Sequence, residues 1–262
     1  PQHVSAWWRH ARLVLRDEGP EALLALAEAA LAAGIAHPRV LAARAVALGR
    51  SGRMAEAEEA VGLGQHFAAG IVAAPPGRVS LAAFNAALVE ELAAHPGRRF
   101  EREGTAATES WRVDDPLLTS STVLPDLQAL LAREIPLLLA AFEGLDRPLM
   151  TRRMAAMRLD YWAVLSDGPG HESWHMHPGG WLSGVYYPQV PREIETGTDE
   201  AGCLRFGVPN TLDSPEDAWP GRLLRPAEGL IALFPSHAPH RSFAYPRAWG
   251  GRVCVAFDLM PA

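Results

Sequence analysis

The sequence predicts an α+β protein in which a helical N-terminal part precedes an antiparallel β sandwich or barrel. Alanine- and leucine-rich segments with helical spacing of their apolar residues fill much of the chain up to Gly144. From Leu149 onward, short segments rich in aromatic and branched residues alternate with Pro, Gly and Asp turns. Helices followed by closely spaced strands favour an antiparallel sheet over a parallel βαβ arrangement.

The composition indicates an ordinary globular protein and excludes some function classes. The 262 residues are 48% hydrophobic and 21% charged, with a formal net charge of −6. This charge argues against nucleic acid or a membrane as the main partner. No apolar run has the length of a bilayer span and no signal peptide is recognisable, so a cytoplasmic location is expected. Cys203 and Cys254 lie in apolar, strand-like segments and are expected to be buried free thiols.

Helices are predicted at five places in the first part of the chain, namely 20–33, 38–48, 54–63, 80–94 and 124–142, the last kinked near Pro136. Small residues around Gly49-Arg-Ser-Gly52 resemble a tetratricopeptide unit. Stable arrays need about three repeats, and the pattern covers little more than one. A helical cap is therefore preferred over a partner-binding groove, and contact with a protein partner through this region stays possible.

Strands are predicted at 154–165, 181–187, 202–208, 229–234, 241–245 and 252–259. The polar segment 98–122 is expected to be mostly loop with one short strand. We find no glycine-rich phosphate loop and no Gly-x-Ser-x-Gly elbow.

Two of the three histidines in the segment 171–187 indicate one half of a metal site. His175 and His177 are two residues apart, so on an extended strand their side chains project from the same face. A catalytic metal needs roughly three protein ligands and an open position, and His240 is the preferred third ligand. Arg252 opens the last strand, where its planar fork of donors could hold a carboxylate beside the metal.

A set of segments in fixed order carries a more specific signal. These are WHMHPGGWLSGVYY at 174–187, GCLRF at 202–206, GLIALFPS at 229–236, His240, and RVCVAF at 252–257. Together they resemble Fe(II)/2-oxoglutarate-dependent oxygenases of the HxHP…SGVYY…LFPS…H…R type, some of which follow tetratricopeptide repeats. The resemblance covers roughly residues 149–260 and implies a double-stranded β-helix, that is, a cupin-like jelly-roll barrel.

The resemblance also implies a domain division and an activity. Residues 1–72 would form the tetratricopeptide-like region, and 73–262 the oxygenase domain, with a helical lead-in at 80–143 and the jelly-roll core at 149–260. The domain would use Fe(II), 2-oxoglutarate and O2 to hydroxylate an unactivated C–H bond of a peptide, amino acid or small metabolite. Succinate and carbon dioxide would be released.

Residue roles follow from the same resemblance. His175 and His240 would ligate the metal, and Arg252 would pair with the distal carboxylate of 2-oxoglutarate. His177 is expected as the third metal ligand from its place beside His175, although the family pattern usually has a carboxylate there. Further cosubstrate contacts are expected from Ser183 and Tyr186, and substrate-pocket positions from Trp162, Trp174 and His237. Because neighbouring residues of a strand point to opposite faces, at most one of the adjacent Tyr186 and Tyr187 can face the pocket.

One departure from the family pattern leaves alternatives open. The larger superfamily usually has His-x-Asp or His-x-Glu where this chain has His175-Met-His177. The site would then hold three histidines, or two completed by water or by Asp199 or Glu200. A three-histidine zinc hydrolase, a thiol dioxygenase of cupin type and a non-catalytic partner-binding module are the alternative functions.

Overall fold

The computed structural model of the chain describes residues 3–101, 103–114, 116, 121, 123–144, 157–212 and 218–261. The helices in this part are α1 (Val4–Asp17), α2 (Pro20–Ala32), α3 (Pro38–Arg50), α4 (Met54–Val61), α5 (Leu81–Ala94), α6 (Leu124–Ala140) and α7 (Arg192–Thr196). The strands are β1 (Ala68–Ile71), β2 (Arg99–Phe100), β3 (Ala107–Asp114), β4 (Met157–Glu172), β5 (Leu182–Gln189), β6 (Leu204–Pro209), β7 (Ala218–Leu224), β8 (Leu230–Pro235), β9 (His240–Ser242) and β10 (Arg252–Pro261). A short 3₁₀ helix spans Arg247–Trp249.

Local signals fix the helix ends where the sequence predicts them. Pro20 and Pro38 occupy the first turns of α2 and α3, where a missing N–H costs nothing. The Ser80 hydroxyl caps α5 by accepting from the Ala83 N–H at 3.1 Å. Gly62 ends α4 in the left-handed region at φ 79°, which glycine adopts without strain. Pro136 lies inside α6.

The strands form two antiparallel sheets. The large sheet has the order β1-β8-β5-β10-β4-β3-β2, and the small sheet has the order β7-β6-β9. This arrangement confirms the predicted α+β class with an antiparallel core.

The two faces of the large sheet have different neighbours because side chains alternate along each strand. Its outer face packs on α5 and α6 in one apolar cluster that includes Phe84, Leu124 and Tyr186. Its inner face packs against β6 of the small sheet in a second cluster that includes Tyr187 and Phe206. The inner cavity of the molecule lies between the sheets.

Several strands differ from the sequence predictions. Strand β7 was not predicted, because Pro220 and Gly221 interrupt its short, largely uncovered segment. Strand β3 is longer than the short strand expected within 98–122, and β4 continues to Glu172, beyond the expected end at 165. Strand β9 covers His240–Ser242 instead of 241–245. The predicted strand start at 154 lies outside the described residues.

The N-terminal helices pack directly on the small sheet. A Cβ placed on Gly49 of α3 would lie 2.3 Å from Cζ3 of Trp219 in β7, so the helix backbone and the indole are in close contact. Strand β1 falls within the predicted region 1–72 yet pairs with β8 of the large sheet. The domain division and the tetratricopeptide interpretation stay predictions. Within the described part of the chain, no helix is long and apolar enough to cross a membrane.

Candidate metal centre

Three histidines meet at the open end of the two sheets. His175 and His240 form an isolated antiparallel bridge in which each backbone N–H donates to the other residue's carbonyl oxygen at 2.9 Å. The N–H of His177 donates to the carbonyl of Ser236, also at 2.9 Å. These backbone bonds bring one ligand atom of each imidazole within 4.8 Å of the others.

The second nitrogen of each imidazole is held by the protein. Nδ1 of His175 lies 2.7 Å from the carbonyl oxygen of Ser173, and Nδ1 of His240 lies 3.0 Å from that of Ala238. Because a carbonyl only accepts, both Nδ1 atoms carry the proton and both Nε2 lone pairs are unprotonated. Nε2 is therefore the atom that each ring offers to a metal.

His177 is oriented by a carboxylate. Its Nδ1 lies 2.7 Å from Oδ1 of Asp258 on β10, and the same oxygen accepts from the Ser183 hydroxyl at 2.6 Å. A carboxylate behind a ligating histidine fixes its tautomer and increases its basicity. Ser236 extends this network, with its hydroxyl 2.8 Å from that of Ser183.

Burial keeps the imidazoles of His175 and His240 neutral. Desolvation lowers the pKa of His175, and it lowers the pKa of His240 well below the usual value, with the neighbouring histidines adding to the effect for His240. Neutral imidazole is the form that binds metals, and it is a suitable ligand for iron. The chemistry of this donor set thus fits an Fe(II) ion.

The inner cavity begins at the histidines and ends at Arg252. It is lined by both sheets, through Trp162, Glu172, His175, His177, Gly184, Val185, Tyr187, Leu204, Phe234, His240, Ser242, Arg252, Cys254 and Ala256. Arg252 is 5% exposed and donates to the Gly202 carbonyl at 2.6 Å and to the Ser242 hydroxyl at 3.3 Å. A guanidinium has five N–H donors, so this buried cation keeps donors for a ligand.

The structure separates the two adjacent tyrosines. The Tyr186 hydroxyl donates to Oδ1 of Asn85 on α5 at 2.5 Å, on the helix-covered face of the large sheet. Tyr187 lines the inner cavity, where burial raises the pKa of its phenol and keeps it protonated. The expected cosubstrate contact by Tyr186 stays a prediction, and the pleat directs Tyr187 rather than Tyr186 into the inner cavity.

Ser183 shares the inward face with Tyr187 but stands behind His177 instead of lining the cavity, since its hydroxyl is bonded to Asp258. A cosubstrate contact by Ser183 stays a prediction, and the structure places its hydroxyl beside His177 and Asp258.

Of the three predicted substrate-pocket residues, one lines the inner cavity and two lie elsewhere. Trp162 lines the cavity, and its ring centroid lies 5.3 Å from that of His177. Trp174 is buried beside Gly207 of β6, and the Arg241 guanidinium lies 6.0 Å from its ring. His237 is buried and its Nε2 lies 3.1 Å from the Ala60 carbonyl of α4, so it points away from the histidine cluster.

Asp199 and Glu200 do not complete the site. Oδ1 of Asp199 accepts from the Ala201 N–H at 3.2 Å, and Glu200 forms an ion pair with Arg205. Among the described residues, the cluster of metal-ligating side chains contains the three histidines.

Sequence reasoning did not single out Asp258, Glu172 or Cys254, which the structure places at the candidate site, and it left open whether Tyr186 or Tyr187 faces the pocket. Asp258 had a usable signal: it is six residues beyond Arg252 on one strand, so the two side chains share a face. Cys254 shares that face, and burial raises the pKa of its thiol to about 12. Cys203 and Cys254 are both buried free thiols, as predicted.

Comparisons with known proteins agree with this geometry. Residues 160–258 match the family model described as "Putative 2OG-Fe(II) oxygenase". The structure is similar to that of SnoN, the non-heme alpha ketoglutarate dependent epimerase from nogalamycin biosynthesis (TM-score 0.52, 15% identity, 76% of this chain and 78% of that chain). No curated protein matches the chain in sequence.

Two further similar structures are prolyl hydroxylases. One is a Pseudomonas putida prolyl-4-hydroxylase (TM-score 0.48, 14% identity, 76% of this chain and 95% of that chain). The other, from Trichoplax adhaerens, is in complex with a hypoxia inducible factor oxygen degradation domain peptide fragment (TM-score 0.49, 11% identity, 76% and 85%). At such identities the likeness describes the fold alone.

The antiparallel core with its three converging histidines has the double-stranded β-helix fold. Residues 160–258 match the family model of the 2-oxoglutarate/Fe(II) oxygenases, which are oxidoreductases that use Fe(II) as cofactor and 2-oxoglutarate as cosubstrate.

Proposed function

We propose that the protein hydroxylates an unactivated C–H bond of a small molecule or peptide, with Fe(II) bound by Nε2 of His175, His177 and His240. The observation that carries the ligand assignment is that all three Nδ1 atoms already have a hydrogen-bond partner in the protein. Two face backbone carbonyls and the third faces the Asp258 carboxylate, which leaves three Nε2 lone pairs for one ion.

The inner cavity supports Arg252 as the cosubstrate anchor. Arg252 is the one arginine or lysine among the described residues that line it, and its guanidinium matches a carboxylate in shape and charge. Tyr187 stays protonated and supplies a neutral hydroxyl donor on the same cavity surface. We therefore assign the distal carboxylate of 2-oxoglutarate to Arg252 and Tyr187.

When bound, Fe(II) together with 2-oxoglutarate and O2 supplies the oxidising chemistry, which releases succinate and carbon dioxide. The chain's own residues orient and protect this centre. Asp258 and Ser183 hold the His177 ring, and the reciprocal backbone bonds hold His175 against His240. Apolar residues of both sheets, including Val185 and Phe234, line the cavity and limit access of water.

The test is an anaerobic titration of the Fe(II)-loaded protein with 2-oxoglutarate, followed by its visible charge-transfer band. We expect a saturable band in the wild type and none in His175→Ala. Arg252→Lys should raise the Kd for 2-oxoglutarate by about tenfold or more, because an ammonium cannot replace the planar fork. Arg247→Lys is the matched control, since Arg247 is exposed and paired with Asp167.

A wild-type protein that binds Fe(II) but gives no band would overturn the proposal. Metal analysis separates the alternatives, because bound zinc with hydrolytic activity would favour a three-histidine hydrolase. Oxidation of a thiol without consumption of 2-oxoglutarate would favour a thiol dioxygenase.

A further inference from the structure

A second cavity adjoins the histidine cluster on the side away from Arg252. We call it the outer chamber; its lining includes Thr105, Arg112, Trp162, Glu172, Met176 and Asp258, together with His175 and His177. It shares Trp162, Glu172 and both histidines with the inner cavity. A molecule in the outer chamber would therefore lie beside the metal ligands without occupying the place assigned to 2-oxoglutarate.

Arg112 is held in a fixed orientation in this chamber. Its Nε donates to Oδ1 of Asp114 at 2.8 Å, and its guanidinium carbon lies 4.5 Å from the centroid of the Trp162 ring. The side chain is only 15% exposed. Its two terminal nitrogens form no hydrogen bond with any other described residue. The guanidinium is thus held by one donor, and its terminal N–H groups can donate to a carboxylate.

Trp162 supports Arg112 with the face of its ring. The indole lines the outer chamber and stacks under the Arg112 guanidinium. Its Nε1 is fully buried, so Trp162 meets the chamber through its ring and not through its N–H.

The two carboxylates that line the outer chamber lie beside the proposed metal ligands. Asp258 is bonded to His177 and Ser183. Glu172 lies at the junction of the two cavities, where its charge acts on His175. Among the described residues that line the outer chamber, Arg112 is thus the one arginine or lysine.

We infer that the outer chamber binds the carboxylate group of the primary substrate, with Arg112 as the donor and the Trp162 ring beneath it, so that the substrate is a carboxylic acid such as an amino acid derivative. This assignment rests on the proposed function, because it places the substrate beside the three-histidine centre. Arg112 sets specificity by charge and by the geometry of its fork.

The experiment compares matched probes that differ only in the acid group. N-acetyl amino acids and their primary amides are titrated against the anaerobic Fe(II)- and 2-oxoglutarate-loaded protein by calorimetry, without turnover. We expect members of the acid series to bind. The matching amides should bind with a Kd at least about tenfold higher than that of the acids. Arg112→Gln should weaken acid binding by a similar factor, and Arg112→Lys should restore only part of it, since the fork is lost.

Arg158→Gln is the matched control. Arg158 forms the same Arg-x-Asp pair on β4, with Nε 2.8 Å from Oδ1 of Asp160, but it is 65% exposed and lines neither cavity. Acid binding should be unchanged in this variant.

Equal affinity for acids and amides, binding of neither series, or acid binding that survives Arg112→Gln would each overturn the inference. The charge-transfer band of 2-oxoglutarate keeps the two proposals distinct. Its loss in the wild-type protein would refute the proposed function, whereas its presence without acid selectivity would refute only the substrate assignment.

Discussion

Nδ1 of His177 lies 2.7 Å from Oδ1 of Asp258. The chain has an imidazole where related oxygenases usually have a carboxylate ligand, and it places a carboxylate directly behind that imidazole. In the proposed site, this negative charge would lie close to the metal without touching it. Through the hydrogen bond, Asp258 would make His177 a more electron-rich ligand than an unsupported histidine.

The first prediction concerns this carboxylate. Asp258→Asn removes the charge and weakens the support of His177, so Fe(II) affinity should fall by about 10- to 100-fold. The measurement is a competition titration with a metal chelator of known affinity. Asp160→Asn is the control, since Asp160 pairs with Asp258 across the strands but is bonded to Arg158. Equal metal affinity in Asp258→Asn and the wild type would contradict this role.

A pair of variants should separate the roles of the adjacent tyrosines. Tyr186→Phe deprives buried Asn85 of a donor, so the free energy of unfolding should drop by about 1–3 kcal/mol while the Kd for 2-oxoglutarate stays the same. Tyr187→Phe should raise that Kd by about tenfold with little change in stability. Denaturant unfolding and the anaerobic titration give both quantities, and an exchange of the two phenotypes would refute the assignment.

His237 makes stability depend on pH. Burial lowers the pKa of this imidazole to about 4, whereas the unfolded chain binds the proton near pH 6.5. Neutral His237 contributes fully to the free energy of unfolding above the pKa of the unfolded state. This contribution is lost as the pH falls towards the pKa of the folded state. The free energy of unfolding should therefore decrease by about 2 kcal/mol between pH 8 and pH 5. His237→Gln keeps a donor for Ala60 and should reduce the pH dependence of the unfolding free energy by that amount. An unchanged dependence would show that His237 is not the group responsible.

The contact between α3 and β7 gives a further prediction. Gly49→Ala would place a methyl group 2.3 Å from the Trp219 ring, and the resulting overpacking should cost about 1–3 kcal/mol. Gly64→Ala is the control, because a Cβ at Gly64 meets nothing within 4 Å. Thermal unfolding followed by circular dichroism should show a lower Tm for Gly49→Ala alone. Equal Tm values would mean that the indole moves aside without cost.

The sequence was sufficient for those parts of the site that depend on strand alternation within one motif. His175 and His177 were predicted from their spacing, and His240 and Arg252 from ordered motifs further along the chain. Which tyrosine faces inward could not be settled, because the alternation rule gives two choices and only the position of the sheet relative to α5 decides between them.

The fold was harder to predict where burial is partial. Strand β7 contains Pro220 and Gly221 and leaves much of its surface uncovered, so it lacks the apolar alternation of a core strand. Strand β3 owes its existence to pairing with β4, a tertiary contact that its polar sequence does not announce. The lining of the outer chamber by Arg112 depends on the same pairing and was therefore invisible in the sequence.

The reciprocal bridge between His175 and His240 has a consequence for which metal ion the site can bind. Since backbone bonds and anchored Nδ1 atoms fix the rings, the cage exists before any ion arrives. A preformed set of three imidazoles accepts nickel, copper or zinc at least as readily as ferrous iron. If the three imidazoles hold one ion as proposed, they give ferrous iron no advantage over these competing ions.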